Sequence, residues 1–584
     1  MPRSGRNGRA GALTAAGSAI CCALCCVAGA ARAGTLFVRA GAAPGGDGSP
    51  RSPFNSLASV ERASRPGDEI VVLPAPLTVA PLDGGISLKP RQSLIGGGPP
   101  VSGASRSGSA PRITNSGPRG NSGDAVVLAD GSEVRNLVIT RSFRGGIYGV
   151  NVNGVRLRGN DLSATNTSCT AGLYVYFPGN LPVLANGWAA IMIDENRGTA
   201  WLSIENNHIH DGACSDGIDI RATGGARVAA RVSGNRLTRL AQGPKMRSVL
   251  AIGLQTRGSA VLSVDSDHDS ETRIGSPHAD CEGLFANQTG GSLSWRIDHN
   301  RFAHGIGGGS CNGAEFFTDS GVTTTNLYIG HSTFEYDPGD MIEEDNGGGT
   351  GSVMNLTLVD VSVSHTSFPT RLAPERRFTD IRYMDNLGRC MDQYSWGHRN
   401  VNDLRVIDSR FFDCYGDAIG SDVTGGTYVF GHAAGGLARS GGMNFGDAAG
   451  DSVSIDIENS SLDVSRQYVL HFANHAAMAD LDVRVRNSRL SGARGAAVVA
   501  FDQDGSTRHA AVDLDGGHAP GMATNCILGG AHLAAETSGY TVNARFDWWG
   551  RPRGPLPGRM AATRGHLHIS PVRRSPPPRC APER

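Results

Sequence analysis

Several features that would narrow the function of this protein are missing from its sequence. Neither charge sign is in excess, because Lys and Arg together number 54 and so do Asp and Glu. A balanced chain has no bulk field that attracts nucleic acid, so we predict no nucleic-acid partner, and any charged partner must be recognised locally. Beyond residue 33 there is no CxxC pair and no His cluster at zinc spacing, which argues against a structural zinc site. The 81 glycines follow no Gly-X-Y period, which excludes collagen and indicates many tight turns.

The sequence also lacks an apolar run long enough to cross a membrane. Its most apolar stretch, Ala19–Ala31, is shorter than the roughly 20 residues that a transmembrane helix needs. Arginines precede this stretch, and a small-x-small cleavage site follows it at residues 31–33. We therefore interpret residues 1–33 as a signal peptide and expect a secreted or periplasmic protein without a membrane span.

A short phrase recurs along the rest of the chain. It reads apolar-x-apolar-x-x-(Asn/Ser)-x-apolar, and successive copies begin 28 to 65 residues apart. The copies are Val155–Leu162, Leu202–Ile209, Ala230–Leu237, Trp295–Phe302, Leu327–Phe334, Leu404–Phe411, Ile455–Leu462 and Val483–Leu490, and Leu356–Val363 keeps the apolar spacing without the Asn or Ser. Such self-similarity is typical of a solenoid protein.

Each copy predicts one rung of a stacked structure. Alternating apolar residues indicate a short strand with one buried face, and the Asn or Ser marks the turn that follows. Stacked rungs lie about 4.8 Å apart, so the Asn side chains can hydrogen-bond along the stack while the apolar positions form a continuous core. We predict an all-β fold, a single-stranded right-handed parallel β-helix with a cap at each end, and expect a monomer.

Both ends of the chain resemble the pectate-lyase-like superfamily of secreted right-handed parallel β-helix proteins. The resemblance is carried by Thr35-Leu36-Phe37-Val38-Arg39-Ala40-Gly41 and Pro66-Gly67-Asp68-Glu69-Ile70 at the start, and by Asp547-Trp548-Trp549-Gly550 with Ile569-Ser570-Pro571 at the end. It implies an N-terminal cap with the first coils at 34–100, the β-helix at 101–530, and a last coil, cap and Pro/Arg-rich tail at 531–584. The superfamily includes lyases, hydrolases, epimerases and binding proteins, so the resemblance implies the fold more firmly than the activity.

A second strand after each turn is expected to expose a column of charged side chains. Alignment on Ile218, Leu254, Ala314, Ile342, Ile381 and Ile419 as inward residues places Asp219, Gln255, Glu315, Glu343, Arg382 and Gly420 outward, and then Arg221, Arg257, Phe317, Asp345, Met384 and Asp422. Outward neighbours on adjacent rungs would be about 5 Å apart, so an extended polysaccharide could lie along them. The substrate-binding candidates are Arg257, Glu315, Arg382 and Asp422, and the alternative is an ordinary solvated sheet.

The segment Asp216-Gly217-Ile218-Asp219-Ile220-Arg221 is the strongest local candidate for catalysis. It is similar both to the Asp-Gly-Ile-Asp segment of polygalacturonases and to the Asp-Gly segment, ending in a cationic base, of some pectate lyases. Hydrolysis would use two carboxyl groups, whereas a lyase needs a base and often calcium. Asp216, Asp219 and Arg221 are the catalytic candidates, although Asp216-Gly217 also fits a plain turn.

Glu343 and Asp345, beside Glu315, form a candidate calcium site because carboxylate oxygens are preferred calcium ligands. Asp265-Ser266-Asp267-His268-Asp269 begins like a calcium loop, but Ser270 replaces the turning glycine, so we expect a solvated insertion loop there.

An insertion between Ser364 and Asn402 is long enough to overhang a groove. Tyr394 and Trp396 within it could stack against sugar rings or could pack the loop onto the solenoid.

Eight cysteines lie beyond the signal peptide, and an even number in an exported chain favours disulfides. Cys169 and Cys214 follow Asn160 and Asn207 at similar offsets, so we predict that they pair. Cys390 and Cys414 are the candidates for a second bridge, which would hold the insertion in place.

Two functions are compatible with these residues. The first is an enzyme acting on polysaccharide, most plausibly a lyase of acidic polysaccharide with calcium as a possible cofactor. The alternative is a non-catalytic β-helix protein that binds a polysaccharide or a cell-surface glycan through the same outer face.

Overall fold

Parallel β-strands make up nearly all of the regular structure in a computed structural model of the chain. The structure describes residues 33–98, 109–176, 184–240, 248–275, 280–306, 311–337, 339–347, 349–367, 389–395, 400–415, 418–422, 426–431, 434–438, 441–447, 452–465, 468–474, 480–492, 497–503, 509–515, 524–529, 532–535, 540–555, 560–562 and 566–580. Residues 1–32 of the predicted signal peptide lie outside this part. Among the described residues no helix is long and apolar enough to span a membrane.

Three parallel sheets wind around one axis, and strands of the same sheet follow one another in chain order. The 18-stranded sheet contains Thr35–Arg39, Glu69–Leu73, Ser93–Gly96, Glu133–Arg135, Val155–Arg158, Thr199–Glu205, Arg227–Ser233, Val261–Asp267, Gly291–Asp298, Thr323–Gly330, Val353–Val359, Val401–Ile407, Gly426–Gly431, Ser452–Glu458, Asp480–Arg486, His509–Asp513, Tyr540–Asn543 and His566–His568. The 14-stranded sheet contains Arg112–Ile113, Val138–Thr140, Asp161–Ser163, His208–His210, Arg236–Thr238, Ser270–Thr272, Arg301–Ala303, Thr333–Asp337, Ser362–Thr366, Arg410–Phe412, Ala434–Ala438, Ser461–Ser465, Arg489–Gly492 and Cys526–Gly529. The 16-stranded sheet contains Ile86–Ser87, Val126–Val127, Ile147–Val150, Ile191–Glu195, Ile218–Ala222, Ser248–Arg257, Asp280–Thr289, Cys311–Thr318, Ile342–Asn346, Met391–Ser395, Ile419–Asp422, Gly441–Asp447, Tyr468–Asn474, Ala497–Gln503, His532–Ala535 and Met560–Ala562.

A complete coil contributes one strand to each sheet, which is the arrangement of a parallel β-helix. One coil, for example, runs through Thr199–Glu205, His208–His210 and Ile218–Ala222 before the next begins at Arg227. The predicted all-β parallel solenoid is therefore confirmed.

Short elements outside these sheets complete the described secondary structure. They are the antiparallel pairs Ala75–Pro76 with Ser109–Ala110 and Ala171–Tyr176 with Leu184–Gly187, the α-helix Leu57–Ala63, and the 3-10 helices Asn121–Gly123 and Pro578–Cys580.

The interior is built from columns of apolar side chains, one residue from each rung. One column of the 18-stranded sheet consists of Leu202, Ala230, Val264, Trp295, Leu327, Leu356 and Leu404. Trp295, the largest fully buried side chain, packs edge-on against Phe316 and donates its indole N–H to Ser266 Oγ at 2.9 Å. Each coil thus buries its apolar face against its neighbours, as a solenoid requires.

The predicted Asn ladder runs along the turn between the 18-stranded and 14-stranded sheets. The backbone N–H of each ladder residue donates to the side-chain oxygen of the next, as from Asn207 to Asn235 at 3.0 Å. The described ladder consists of Asn160, Asn207, Asn235, Asp269, Asn300 and Ser332, with a second run of Ser460, Ser488, Asn525 and Asp547. These buried backbone donors, which the sheets do not satisfy, thus have partners.

Local structure near both ends of the described solenoid packs into apolar clusters. The helix Leu57–Ala63 begins after Ser56, whose side chain accepts the Ser59 N–H, and Leu57 and Val60 are buried in the core. At the other end Trp549 joins the same core, while Trp548 packs with the Cys526–Cys580 bridge. The first and last strands of the 18-stranded sheet lie in the regions that we had assigned to the N-terminal cap with the first coils and to the last coil with its cap and tail.

Four disulfides join neighbouring parts of the solenoid. Both predicted pairs are confirmed, Cys169–Cys214 and Cys390–Cys414. The bridges Cys281–Cys311 and Cys526–Cys580 were not predicted. Disulfides of this number are typical of proteins that fold in an oxidising compartment.

The expectation of a solvated loop at 265–269 is wrong. Val261–Asp267 is a strand of the 18-stranded sheet, Asp269 occupies a ladder position, and Ser270–Thr272 continues the 14-stranded sheet. Asp replaces the Asn of the repeat here because its carboxylate oxygen can accept the same backbone N–H.

Candidate functional site

Two rows of residues follow the outer face of the 16-stranded sheet, and the strand pairing fixes their register. The first outer row consists of Tyr148, Met192, Asp219, Gly253, Phe285, Glu315, Glu343, Asp392 and Gly420. The second outer row, two residues further along each strand, consists of Val150, Asp194, Arg221, Gln255, Asn287, Phe317, Asp345, Tyr394 and Asp422.

The predicted alignment of this face is wrong at two rungs and omits a third, Asp280–Thr289, which lies between the rungs of Gly253 and Glu315. Ile218 pairs with Ile252 rather than Leu254, so Gln255 stands beside Arg221, and the exposed Arg257 lies two positions beyond. An apolar residue at every second position fits either register equally well, so the pattern could not choose between them.

The second error concerns the rung after Glu343. Met391 pairs with Ile342, so Asp392 takes the outer place that we had assigned to Arg382. Arg382 and Trp396 lie outside the described residues. Tyr394 lies on the strand Met391–Ser395, next to Asp345 in the second outer row, and not in an overhanging loop. Asp422 follows it in that row, as predicted for this column.

Asp216 and Asp219 are both fully buried. Asp216 lies in the turn before the strand Ile218–Ala222, where it accepts the Leu250 N–H at 3.0 Å and an amide N–H of Asn186 at 2.5 Å. Burial raises its pKa to about 8 despite these hydrogen bonds. Asp216 therefore connects its own turn to the strand Ser248–Arg257 by a hydrogen bond. This agrees with the alternative that Asp216-Gly217 is a structural turn.

Asp219 sits beside Met192 on the outer face with no hydrogen-bond partner for either carboxylate oxygen. Burial, followed by the charge of Asp216, raises its pKa well above the ordinary value. A carboxyl group in this setting is held in its neutral form.

Arg221 is engaged by a carboxylate from the neighbouring rung. Its Nε donates to Asp194 Oδ1 at 2.8 Å, and Nη2 lies 3.4 Å from Oδ2. A guanidinium has only donor groups, so Arg221 cannot remove a proton from a sugar.

A carboxylate cluster lies further along the same face, and none of it belongs to the Asp-Gly-Ile-Asp segment. We use the name carboxylate cluster for Glu282, Glu315, Asp340, Glu343, Asp345 and Asp392, all of which are buried. Glu315, Glu343 and Asp392 are consecutive members of the first outer row, so their Cα atoms are separated by about 4.8 Å per rung.

Asn312 and Arg389 hold the cluster together. The side-chain amide of Asn312 donates to Glu315 Oε2 at 3.3 Å and also to Glu343 Oε2. Arg389 Nη1 donates to Asp392 Oδ1 at 2.6 Å, and its backbone N–H donates to Asp340 Oδ1 at 2.5 Å. A buried cation therefore neutralises one carboxylate while an amide bridges two others.

The environment holds Glu343 in its protonated form. Burial raises the pKa of Glu343 well above its ordinary value, and the charges of Asp345, Glu315, Asp340 and Asp392 raise it further. A protonated Glu343 thus stands one rung from the Arg389-paired Asp392, and unlike environments of this kind separate acid and base roles in carboxylate enzymes.

Glu344 points to the opposite side of the strand, into the core. It pairs in register with the core residue Phe316 and accepts a hydrogen bond from the Gln393 amide. Burial raises its pKa to about 8. Its position excludes it from the outer face.

The residues proposed for calcium are brought together only in part. Glu343 and Asp345 share a strand face with Glu315, as predicted. Elsewhere on the solenoid, three sets of His and Asp bring their potential ligand atoms within 4.8 Å of one another. Among the described residues, Glu343, Asp345 and Glu315 do not form such a set. Calcium binding by Glu343 and Asp345 stays a prediction. It requires the two side chains to approach one another.

Asp392, Arg389 and Asn312 were missed by the sequence reasoning. Asp392 follows a single apolar residue, Met391, in a segment without the repeat phrase, and was therefore assigned to an insertion. A signal was present in Cys390, because its predicted bridge to Cys414 already placed residues near 390 on the solenoid.

A second surface is open to solvent on the outer face of the 18-stranded sheet. It is a groove of about 500 Å³ whose polar walls include Asp265, Arg296, Asn326, Tyr328 and Asn355. The Arg296 guanidinium lies 4.9 Å from the centre of the Tyr328 ring, and Asn355 Nδ2 donates to Asn326 Oδ1 at 2.9 Å. The groove therefore offers a ligand an aromatic side chain and amide hydrogen-bonding groups.

Comparison of the sequence with models of known protein families and with curated proteins gives no match. The case for function therefore depends on the geometry of these two surfaces.

Proposed function

We propose that this protein is a secreted or periplasmic member of the pectate-lyase-like superfamily that cleaves a polysaccharide with the carboxylate cluster. The observation that carries the proposal is the register of Glu343, whose pKa burial and neighbouring charges raise, with the charge-compensated Asp392 on the adjacent strand. Glycoside hydrolysis uses two carboxyl groups, one to protonate the leaving oxygen and one as base or nucleophile.

Glu343 is assigned the role of the acid because burial and four neighbouring carboxylates all disfavour its negative charge. Asp392 is assigned the role of the carboxylate because Arg389 compensates its charge. Neighbouring rungs place the two Cα atoms about 4.8 Å apart, a spacing compatible with the roughly 5 Å between carboxyl groups of retaining enzymes.

In this assignment the catalytic groups are Glu343 and Asp392, and not Arg221, which we first considered as the base of a lyase. Its guanidinium has no acceptor atom for a proton and is already hydrogen-bonded to Asp194. The carboxylate cluster also disfavours a polyuronate as substrate unless calcium screens the like charges, so we expect a neutral or amino sugar polymer.

The test is the release of new reducing ends from purified mature protein incubated with neutral, amino-sugar and uronate polysaccharides, with calcium and with chelator. Glu343→Gln and Asp392→Asn should each lower the rate by about 10²- to 10⁴-fold, the usual contribution of an acid or base group. Glu335→Gln is the matched control, because Glu335 is only partly buried and forms an ion pair with Arg301 on the 14-stranded sheet.

Two results would overturn the assignment. Ultraviolet absorbance of an unsaturated uronate, lost in Arg221→Ala but kept in Glu343→Gln, would restore the lyase. No cleavage of any polymer would leave non-catalytic binding as the function.

Non-catalytic glycan binding is the second candidate, and the open groove beside Tyr328 favours it. The residues of the carboxylate cluster are buried, whereas Asn326 is exposed and Tyr328 is half-buried. Affinity electrophoresis in gels containing each polysaccharide tests this, since Tyr328→Ala should abolish retardation if the groove binds the glycan and leave it unchanged otherwise.

A further inference from the structure

Two histidines and an aspartate meet on the outer face of the 14-stranded sheet, far in sequence from the carboxylate cluster. His208 and His210 alternate on one strand, so both side chains project from the same face, and Asp161 is paired with His208 on the preceding rung. His208 Nδ1 lies 3.3 Å from one Asp161 oxygen and His210 Nε2 lies 3.1 Å from the other. The two rings are stacked with centres 4.2 Å apart.

The hydrogen bonds around His210 define which nitrogen is free to bind a cation. His210 Nδ1 lies 2.7 Å from Asp211 Oδ2, and Arg239 clamps Asp211 with contacts of 2.5 and 2.9 Å. An imidazole that donates its Nδ1–H to a carboxylate presents a lone pair on Nε2. Nε2 faces Asp161 Oδ1 at 3.1 Å, so when this nitrogen carries no proton the two atoms can share a cation.

His208 adds a third ligand atom to the group. Its Nδ1 faces Asp161, while its Nε2 is buried without a hydrogen-bond partner. The ligand atoms of Asp161, His208 and His210 all lie within 4.8 Å of one another. A tetrahedral ion with bonds of about 2.0–2.2 Å separates its ligand atoms by roughly 3.3 Å, close to both His–Asp distances.

We propose that Asp161, His208 and His210 bind a divalent transition-metal ion of the zinc type. The set is two imidazoles and one carboxylate, which such ions accept while keeping a position open to solvent. Asp211 contacts His210 Nδ1, the nitrogen that does not face Asp161, and so orients the ring, as carboxylates commonly do for metal-bound imidazoles. The sequence prediction against zinc considered CxxC pairs and His clusters at zinc spacing, and it overlooked two histidines that alternate on one strand.

Two other His and Asp sets lie on the turns near the ladder. They consist of Asp267, His268 and His299, and of Asp298, His299 and His331. Their imidazoles are more exposed than His210, and Arg296 already contacts Asp298. Both sets include His299, so one substitution removes a ligand from each. Within the part of the chain that the structure describes, a His299→Ala protein then retains Asp161, His208 and His210 as its one set of three.

The experiment is titration of tag-free, metal-stripped His299→Ala protein with Zn²⁺ by calorimetry and with Co²⁺ by visible absorption. We expect one ion per chain and a Co²⁺ spectrum typical of nitrogen and oxygen ligands. In the same background His208→Ala and His210→Ala should each weaken binding by at least about tenfold, and Asp211→Asn by about 10- to 100-fold. His304→Ala, which removes an exposed histidine stacked on Tyr336, should bind as tightly as the background.

Failure to bind Zn²⁺ at micromolar concentration, or unchanged stoichiometry and affinity in the His208 and His210 variants, would overturn the proposal. Circular dichroism and the unfolding midpoint, measured on every variant, separate loss of the site from loss of the fold. His210→Asn repeats the test if the alanine variant does not fold. The result is independent of the polysaccharide proposal, because the readout is metal binding and not cleavage.

Discussion

Replacement of Glu271 with Leu is predicted to stabilise the protein, and increasingly so as pH rises. Glu271 occupies an inward position on the 14-stranded sheet at which the neighbouring rungs carry Leu237 and Phe302. It is completely buried, and neither carboxylate oxygen has a hydrogen-bond partner. Burial, and then the charge of Asp269, raises its pKa well above the ordinary value of 4.5.

The sign of the pH dependence follows from the raised pKa. Below about pH 4.5 the folded and unfolded chains both carry the proton on Glu271, and this group then has no proton-linked effect on stability. Above that pH the unfolded chain releases the proton while the folded chain retains it, so stability falls by about 1.4 kcal/mol per pH unit. The fall continues until the carboxyl group also ionises in the folded chain.

The expected magnitude at pH 6.5 has two parts. At two pH units above the ordinary pKa, the wild-type free energy of unfolding is lower by about 3 kcal/mol, as long as Glu271 stays protonated in the folded chain. The unpartnered buried oxygens add about 1–3 kcal/mol, which an apolar side chain would avoid. Leu should therefore stabilise the fold by roughly 4–6 kcal/mol at pH 6.5, and by only the second part near pH 4.5.

The assay is chemical denaturation of disulfide-intact wild type, Glu271→Leu and Glu271→Gln at several pH values between 4.5 and 7.5. Glu271→Gln removes the titrating group without adding apolar surface, so it should show the Leu variant's pH dependence without its additional stabilisation. Parallel pH dependences for all three proteins would refute the reasoning, because Glu271 would then not retain its proton on folding.

Two further predictions concern polar contacts inside the solenoid and on its face. Asn235→Ala removes two side-chain donor contacts and the acceptor for the Asn207 N–H. It should lower the free energy of unfolding by about 2–4 kcal/mol, which a lower unfolding midpoint would show. An unchanged midpoint would mean that the ladder does not stabilise the fold. Arg389→Ala leaves the carboxylate of Asp392 buried without its guanidinium, and should cost about 3–5 kcal/mol, most of which the double variant with Asp392→Asn should recover. A double variant no more stable than Arg389→Ala would contradict the ion-pair explanation.

Much of the architecture was predictable because it depends on periodic local patterns. Alternating apolar residues followed by Asn or Ser located nine rungs, and the ladder at Asn207 and Asn235 has the predicted role. Equivalent offsets within two rungs also identified the Cys169–Cys214 bridge. The rung at Val261–Thr272 escaped recognition because Asp269 replaces the Asn and Glu271 replaces an apolar residue, so its acidic composition looked like a metal loop.

The candidate site was less predictable because it depends on register between rungs that lie far apart in sequence. A strand such as Ser248–Arg257 offers two inward residues, Ile252 and Leu254, and only the neighbouring strand selects Ile252. The position of Asp392 required knowledge that the strand Met391–Ser395 pairs with Ile342–Asn346, although residues 347–390 lie between them in the sequence. Glu315, Glu343 and Asp345 were correctly grouped because their two strands follow one another without such an interruption.

The bridge between Cys526 and Cys580 determines how the protein would respond to a mechanical load. Tension applied beyond Cys580 would pass through the sulfur atoms directly to Cys526, 54 residues earlier in the chain. The terminal turns between them would carry none of this load, and about 180 Å of extensible chain would stay unavailable until the bond is reduced. The force would enter instead at Cys526, whose strand pairs with Arg489–Gly492 in the preceding coil. Reduction would thus change the protein from one that is loaded at an inner coil to one that unwinds from its end.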